Sequence, residues 1–183
     1  GQGQKVDIGM LDCQVALLTY QAGIYFATGK SPTRTGNRHP TIVPYETFQC
    51  KDGYLNLGCG NDSLWRSFCE VTGLPALTED PRFRTNANRV ENADALRAIL
   101  EPVLLQKTTA QWIEALRARG IPSGSIQSVQ EVCEHPQTLA REMVVELAHP
   151  KAGPIRVTGV PIKLSDTPGA VDRPPPGRGE HTS

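Results

Sequence analysis

VPYETFQCKDGYLNLGCGNDSLWRSFCEVTGLP, residues 43–75, decides the fold class. Two short runs of β-favouring residues, 45–50 and 54–57, flank Lys51-Asp52-Gly53, and an Asp-Gly pair between such runs supplies a tight reversal, so a β-hairpin is expected. After Gly58-Cys59-Gly60 comes Asn61 or Asp62, a suitable N-cap, and then Leu64, Trp65, Phe68, Cys69 and Val71 recur at helical spacing. That helix should stop near Gly73-Leu74-Pro75. The segment therefore reads as a hairpin leading directly into an amphipathic helix.

Working outward, the apolar positions Ile8, Leu11, Val15, Leu18 and the Ala22, Tyr25, Phe26 group recur at three- and four-residue steps, which predicts one long, mostly buried helix over 6–27. Regular structure should end in 28–44, where Gly, Pro, Ser, Asn and Thr crowd together. Downstream, Asp80-Pro81-Arg82-Phe83 reads as a turn. Residues 88–105 read as a helix bent at Pro102. Thr108 or Thr109 can cap a further helix ending before Gly120-Ile121-Pro122, and Ser128 opens a short one that His135-Pro136 interrupts, with another turn over 137–141. Strands over 143–147 and 155–157 form a second hairpin. From 167 onward the chain is too rich in Pro and Gly for helix or sheet, so it should run extended across a surface or be disordered.

The 183 residues fit one ordinary domain, or a small domain plus pieces of a neighbour. Basic and acidic side chains number 19 each, so no excess charge draws the chain to nucleic acid or an anionic membrane, and the expected partners are small molecules or other subunits. No apolar stretch is long enough to span a bilayer. The start, Gly-Gln-Gly-Gln-Lys, has neither an initiator methionine nor a signal pattern and reads as an internal starting point. Five cysteines, Cys13, Cys50, Cys59, Cys69 and Cys133, have no close pairs. That suits a reducing compartment, with cytoplasm as the expectation.

Chemistry is sparse in local motifs. The cysteines and four histidines lack the spacing that puts two metal ligands on one turn, so no metal site is expected. Gly58-x-Gly60 lacks the third glycine and the acidic residue of a dinucleotide fingerprint, and the lysine of a phosphate-binding loop, and reads as a turn. Ser123-Gly124-Ser125 is not a nucleophile elbow. Asp52, Asp62 and Asp80 have turn or capping explanations. One loop stands out: His39, with Arg34, Asn37 and Arg38, lies in a segment too polar for simple packing, and functional residues favour such loops.

Several strings together resemble the family III CoA-transferases, the group that includes formyl-CoA and carnitine CoA-transferases. They are GQGQKVDIGMLD at 1–12, RTGNRHPTIVPYETFQCKDGYL at 34–55, GNDSLWRSFCEVTGLP at 60–75, DPRFRTNANRVEN at 80–92, IPSGSI at 121–126, HPQTLAREMVVELAHPKAGPI at 135–155 and GVPIKLSDTPGAVDRPPPGRGEHT at 159–182. The resemblance implies a large Rossmann-like α/β domain joined by long linkers to a small α+β domain, with two subunits interlocked as a homodimer. On that template 1–27 is a helix of the large domain, 28–45 a linker, 46–150 the small domain, and 151–183 the return linker and extended tail. Exposed apolar surface on the 6–27 helix would then mark a lost partner.

The resemblance further implies transfer of CoA from an acyl-CoA to a carboxylic acid through intermediates on one aspartate, with the CoA thioester as substrate and no permanently bound cofactor. The family's aspartate lies upstream of its GxGQ segment, so here its position falls before Gly1 and the chain alone is expected to be inactive. GNRHPTIV, 36–43, stands where the family has a mobile glycine-rich loop and keeps no run of glycines. Asn37, Arg38 and His39 are the substrate-contact candidates, with shaping of the linker as their other explanation. The same resemblance covers α-methylacyl-CoA racemases, whose catalytic groups would also lie upstream. A noncatalytic binding or assembly module is the reading from a different class, and upstream coding sequence would separate it from a transferase.

Overall fold

The computed structural model describes residues 3–180, so the first two residues of GQGQ and the closing His181-Thr182 lie outside the described residues. The chain divides into two compact units, 1–124 and 125–183.

In the first unit, α1 (Met10–Ala16) and α2 (Thr19–Thr28) replace the single helix expected over 6–27. The break has a local cause. Leu18 N–H bonds back to the Val15 carbonyl at 3.1 Å, three residues away, and Thr19 then takes φ 32°, a left-handed conformation that a β-branched residue adopts only under constraint. Neither helix has a buried residue, which overturns the expectation of burial: Leu11 is 75% and Phe26 81% exposed. The three-to-four-residue spacing identified an apolar face, and within the described chain nothing covers it.

The hairpin forms as the sequence predicts. β1 (Tyr45–Gln49) and β2 (Tyr54–Gly58) pair antiparallel, with Tyr45 opposite Gly58 and Gln49 opposite Tyr54, and Cys50 N–H closes the turn on the Gly53 carbonyl at 2.8 Å. Alternation puts Glu46, Phe48, Leu55 and Leu57 on the buried face. α3 (Asp62–Thr72) begins where the Asn61 side chain accepts from Leu64 N–H at 2.9 Å. It ends at left-handed Gly73, followed by an unforeseen 3-10 turn, Pro75–Thr78.

The helix expected over 88–105 is two: α4 (Asn86–Glu91) and α5 (Ala93–Leu104). Pro102 sits inside α5, and the interruption falls instead at Asn92, which leaves helical geometry at φ −109°, ψ 26° and whose side-chain amide also bonds the Asn88 carbonyl at 2.9 Å. Thr108 caps α6 (Thr109–Arg117) in a reciprocal box with Gln111. β3 (Ser123–Ser125), not anticipated, joins β2 to give the order β1-β2-β3.

α5 lies against β1 and α6 against β2, covering one face of the sheet. Every buried apolar residue among those described falls between Val43 and Ile121, with Trp65, Phe68, Phe48, Leu100 and Trp112 at the centre. Each such side chain contributes roughly 1.5–3 kcal/mol by leaving water. The Trp112 indole is also satisfied, donating to the Leu104 carbonyl at 2.8 Å.

The second unit contains α7 (Val129–Glu134), capped by Ser128 and Glu131, then α8 (Pro136–Ala140) and the hairpin β4 (Val144–His149) with β5 (Gly153–Thr158). Gly159 is obligatory here, because a Cβ on it would stand 2.0 Å from the Glu142 carbonyl oxygen. Residues 161–180 carry no helix or strand. Among the described residues no helix is long and apolar enough to cross a membrane.

Candidate functional site

The polar loop at 34–42 lies along the free edge of β1. Thr47 N–H donates to the Asn37 side chain at 3.3 Å, and His39 N–H donates to the Tyr45 carbonyl at 2.9 Å. A loop that covers an exposed strand edge protects it from pairing with another chain. It also fixes Asn37, Arg38 and His39 in one place, beside the start of the sheet.

The three side chains are used differently. Arg38 points its Nη2 at Asp94, 2.8 Å away, and its Nε stands 3.3 Å from Glu46, close enough for an ion pair though too poorly aligned for a hydrogen bond. Glu46 is only 2% exposed and is also paired with Arg97, which reaches Glu101 at 2.7 Å and lies over the Phe48 ring. A carboxylate so buried needs partners, and the two arginines supply them. Arg38 is therefore bound into the fold.

His39 is freer. Its ring stacks on Tyr45 with centroids 5.2 Å apart and planes 6° from parallel. Its Nδ1 accepts from Thr41 N–H at 3.2 Å, which assigns the proton of the neutral ring to Nε2 and leaves that N–H as a donor. Tyr45 in turn rests over Gly58, where an added Cβ would meet the ring at 3.2 Å. Gly58 thus serves as the seat of an aromatic side chain, and the Asn61 cap already occupies one amide at the start of α3.

The far end of the loop is gripped from α4. The Asn86 side chain donates to the Thr41 carbonyl at 2.7 Å and accepts from Val43 N–H at 3.2 Å. Arg89, fully buried, donates to the carbonyls of Val43 at 2.7 Å and Phe83 at 3.0 Å and to Asp62 at 2.9 Å, with its guanidinium over Trp65. Neither residue stands out in the sequence. The available signal was the polar run TNANR directly after a turn, too hydrophilic for a helix with no other task.

Several other reactive groups have structural partners or are insulated. Burial pushes the Cys59 and Cys69 thiols up to about 12, and raises Cys50, so all three hold their protons near neutrality. Asp52 accepts from Thr109 N–H at 2.7 Å and from its hydroxyl at 2.9 Å, bonds that hold its carboxyl below the ordinary value. Asp80 is likewise lowered by Arg82, and Asp62 pairs with Arg89. Among the described residues no three His, Cys, Asp or Glu side chains group to hold a metal.

The comparisons with known proteins agree across the whole chain. The profile of CoA-transferase family III matches residues 1–182. The chain is 38% identical over 174 residues to an acetyl-CoA:oxalate CoA-transferase of Acetobacter aceti, covering 95% of this chain and 43% of that protein. It is 38% identical over 182 residues to the mouse succinyl-CoA:glutarate CoA-transferase, covering all of this chain and 42% of that one. Among solved structures, a CaiB/BaiF family protein from Brucella suis superposes with a TM-score of 0.81 at 37% identity, over 98% of this chain and 46% of its own. The chain thus spans less than half the length of the curated relatives it matches.

Proposed function

The chain belongs to CoA-transferase family III, and we propose that it forms the small-domain side of an enzyme that moves coenzyme A from an acyl-CoA to a carboxylic acid. The observation that carries this reading is similarity along the entire chain to proteins named as CoA-transferases. Those named relatives favour transfer over the racemase and noncatalytic readings.

On this reading the nucleophile is an aspartate in the part of the relatives' length that this chain does not match. Its carboxylate attacks the thioester carbonyl and expels CoA thiolate, forming a mixed anhydride. The thiolate then attacks the aspartyl carbonyl, releasing the donor acid and leaving an aspartyl-CoA thioester. The acceptor carboxylate repeats the sequence in reverse, so that acyl-CoA forms and the aspartate is regenerated. The boundaries implied by the resemblance, 1–27, 28–45, 46–150 and 151–183, belong to the same proposal, as do a homodimer and a reducing, cytoplasmic setting suited to free thiols. The exposed apolar face of α1 and α2 supports contact with a surface outside the described residues.

Within this chain Asn37, Arg38 and His39 are the proposed substrate-facing group. His39 contributes the Nε2–H donor for a carboxylate, held in orientation by Thr41 and Tyr45. Arg38 contributes positive charge nearby while remaining tied to Glu46 and Asp94. The test is CoA exchange from succinyl-CoA to a panel of carboxylates, comparing the 183-residue chain with a version extended upstream through the expected aspartate. Exchange in the extended form alone is the expected result. Exchange by the short chain would relocate the nucleophile, and none in either form would remove the transferase reading.

A further inference from the structure

The DPRF–TNANR segment, which the proposed chemistry leaves without a task, makes contacts that lead to the candidate site. Asn86 presents both halves of its amide to the loop backbone, the donor to the Thr41 carbonyl at 2.7 Å and the acceptor to Val43 N–H at 3.2 Å. This imitates a neighbouring strand on a stretch of loop that has none. Thr41 is also the residue whose N–H fixes the His39 ring through Nδ1. Thr41 therefore links Asn86 to the imidazole that stacks on Tyr45. Arg89, on the same helix, holds the next carbonyl, Val43, at 2.7 Å, but it is fully buried and also supports Asp62, Phe83 and Trp65. Asn86 is half-buried and engages the loop, so it can be altered without opening the core.

We propose that Asn86 is a positioning residue: acting through the Thr41 backbone, it sets where the His39 ring stands against β1. The kinetic consequence rests on His39 being a substrate contact, as proposed above. The positional consequence does not.

Two variants test it: Asn86→Ala removes both bonds, and Asn86→Asp keeps the volume and the acceptor for Val43 while turning an oxygen toward the Thr41 carbonyl. Amide hydrogen exchange in the 183-residue chain is read at Val43 and at His39, whose N–H bonds the Tyr45 carbonyl. Both variants should speed exchange at His39 by about tenfold or more, the loss of roughly one hydrogen bond's protection. Loss of protection at Val43 with His39 unchanged overturns the proposal, whatever the enzyme does.

In whichever form of the protein carries out CoA exchange, Asn86→Ala should raise the KM for the acceptor carboxylate roughly tenfold with kcat nearly constant. In a His39→Ala background the same change should add nothing, because its effect passes through that ring. KM losses that multiply mean Asn86 acts independently of His39 and overturn the proposal. If His39→Ala itself leaves KM untouched in an active enzyme, the substrate role of His39 fails, and the exchange rate at His39 alone decides the positioning role.

Discussion

The segment from Val43 to Ile121 and the pair of helices α1 and α2 both carry many apolar side chains, yet one contains every buried apolar residue among those described and the other contains none. Spacing reveals that a helix has an apolar face; it is silent about what covers the face. In 43–121 the cover comes from the same segment, through a sheet with helices on one side. In α1 and α2 no described residue supplies such a cover, and Met10, Leu11, Tyr20 and Phe26 are exposed. Apolar side chains in the first region contribute to stability, and those in the second are the ones we propose as a contact surface.

The sharpest way to break this contrast is at Arg89. Truncation to alanine leaves the Val43 and Phe83 carbonyls without their donor and removes the stack on Trp65, so it should destabilise the core region by about 3–5 kcal/mol in urea unfolding. A loss below about 1 kcal/mol would mean that water replaces the guanidinium and that this region is less closed than its burial implies. Next in size, Leu100→Ala should cost about 2–5 kcal/mol, whereas Leu11→Ala should change unfolding by under about 0.5 kcal/mol. Equal losses at the two leucines would erase the distinction.

The smallest effect sharpens it at the surface. Asp52 joins the hairpin turn to the start of α6, and its carboxyl is held below the ordinary 3.8 by the Thr109 N–H and hydroxyl. A depressed folded value means that this contribution is present above pH 3.8 and disappears as pH falls through the lowered value. Asp52→Asn should flatten that acid limb of the stability profile and leave the Leu11 region unaffected, as followed by thermal melts between pH 2 and 6.

Local chemistry explains what was legible. The Asp52-Gly53 reversal, the Asn61 cap and Gly73 each act within a few residues, so the β1-β2 hairpin and α3 could be read directly. β3 could not: Ser123-Gly124-Ser125 has no apolar alternation, and it becomes a strand because β2 offers it a free edge. Pro102 drew attention as the obvious bend, while the break falls at Asn92, where the backbone leaves helical geometry. In the site, the polar loop at 34–39 was visible by composition. The ties that give it shape, Arg38 to Glu46 and Asp94 and the grip of Asn86 on Thr41, join positions far apart in sequence or in another element, where no pattern along the chain connects them.

The stack of His39 on Tyr45 also makes the site observable. An aromatic ring lying nearly parallel at 5.2 Å shifts the imidazole proton resonances by its ring current, and that shift is lost when the rings separate. Loop displacement, ligand arrival and the Asn86 variants can all be followed at that one pair of signals, without a label and without waiting for turnover.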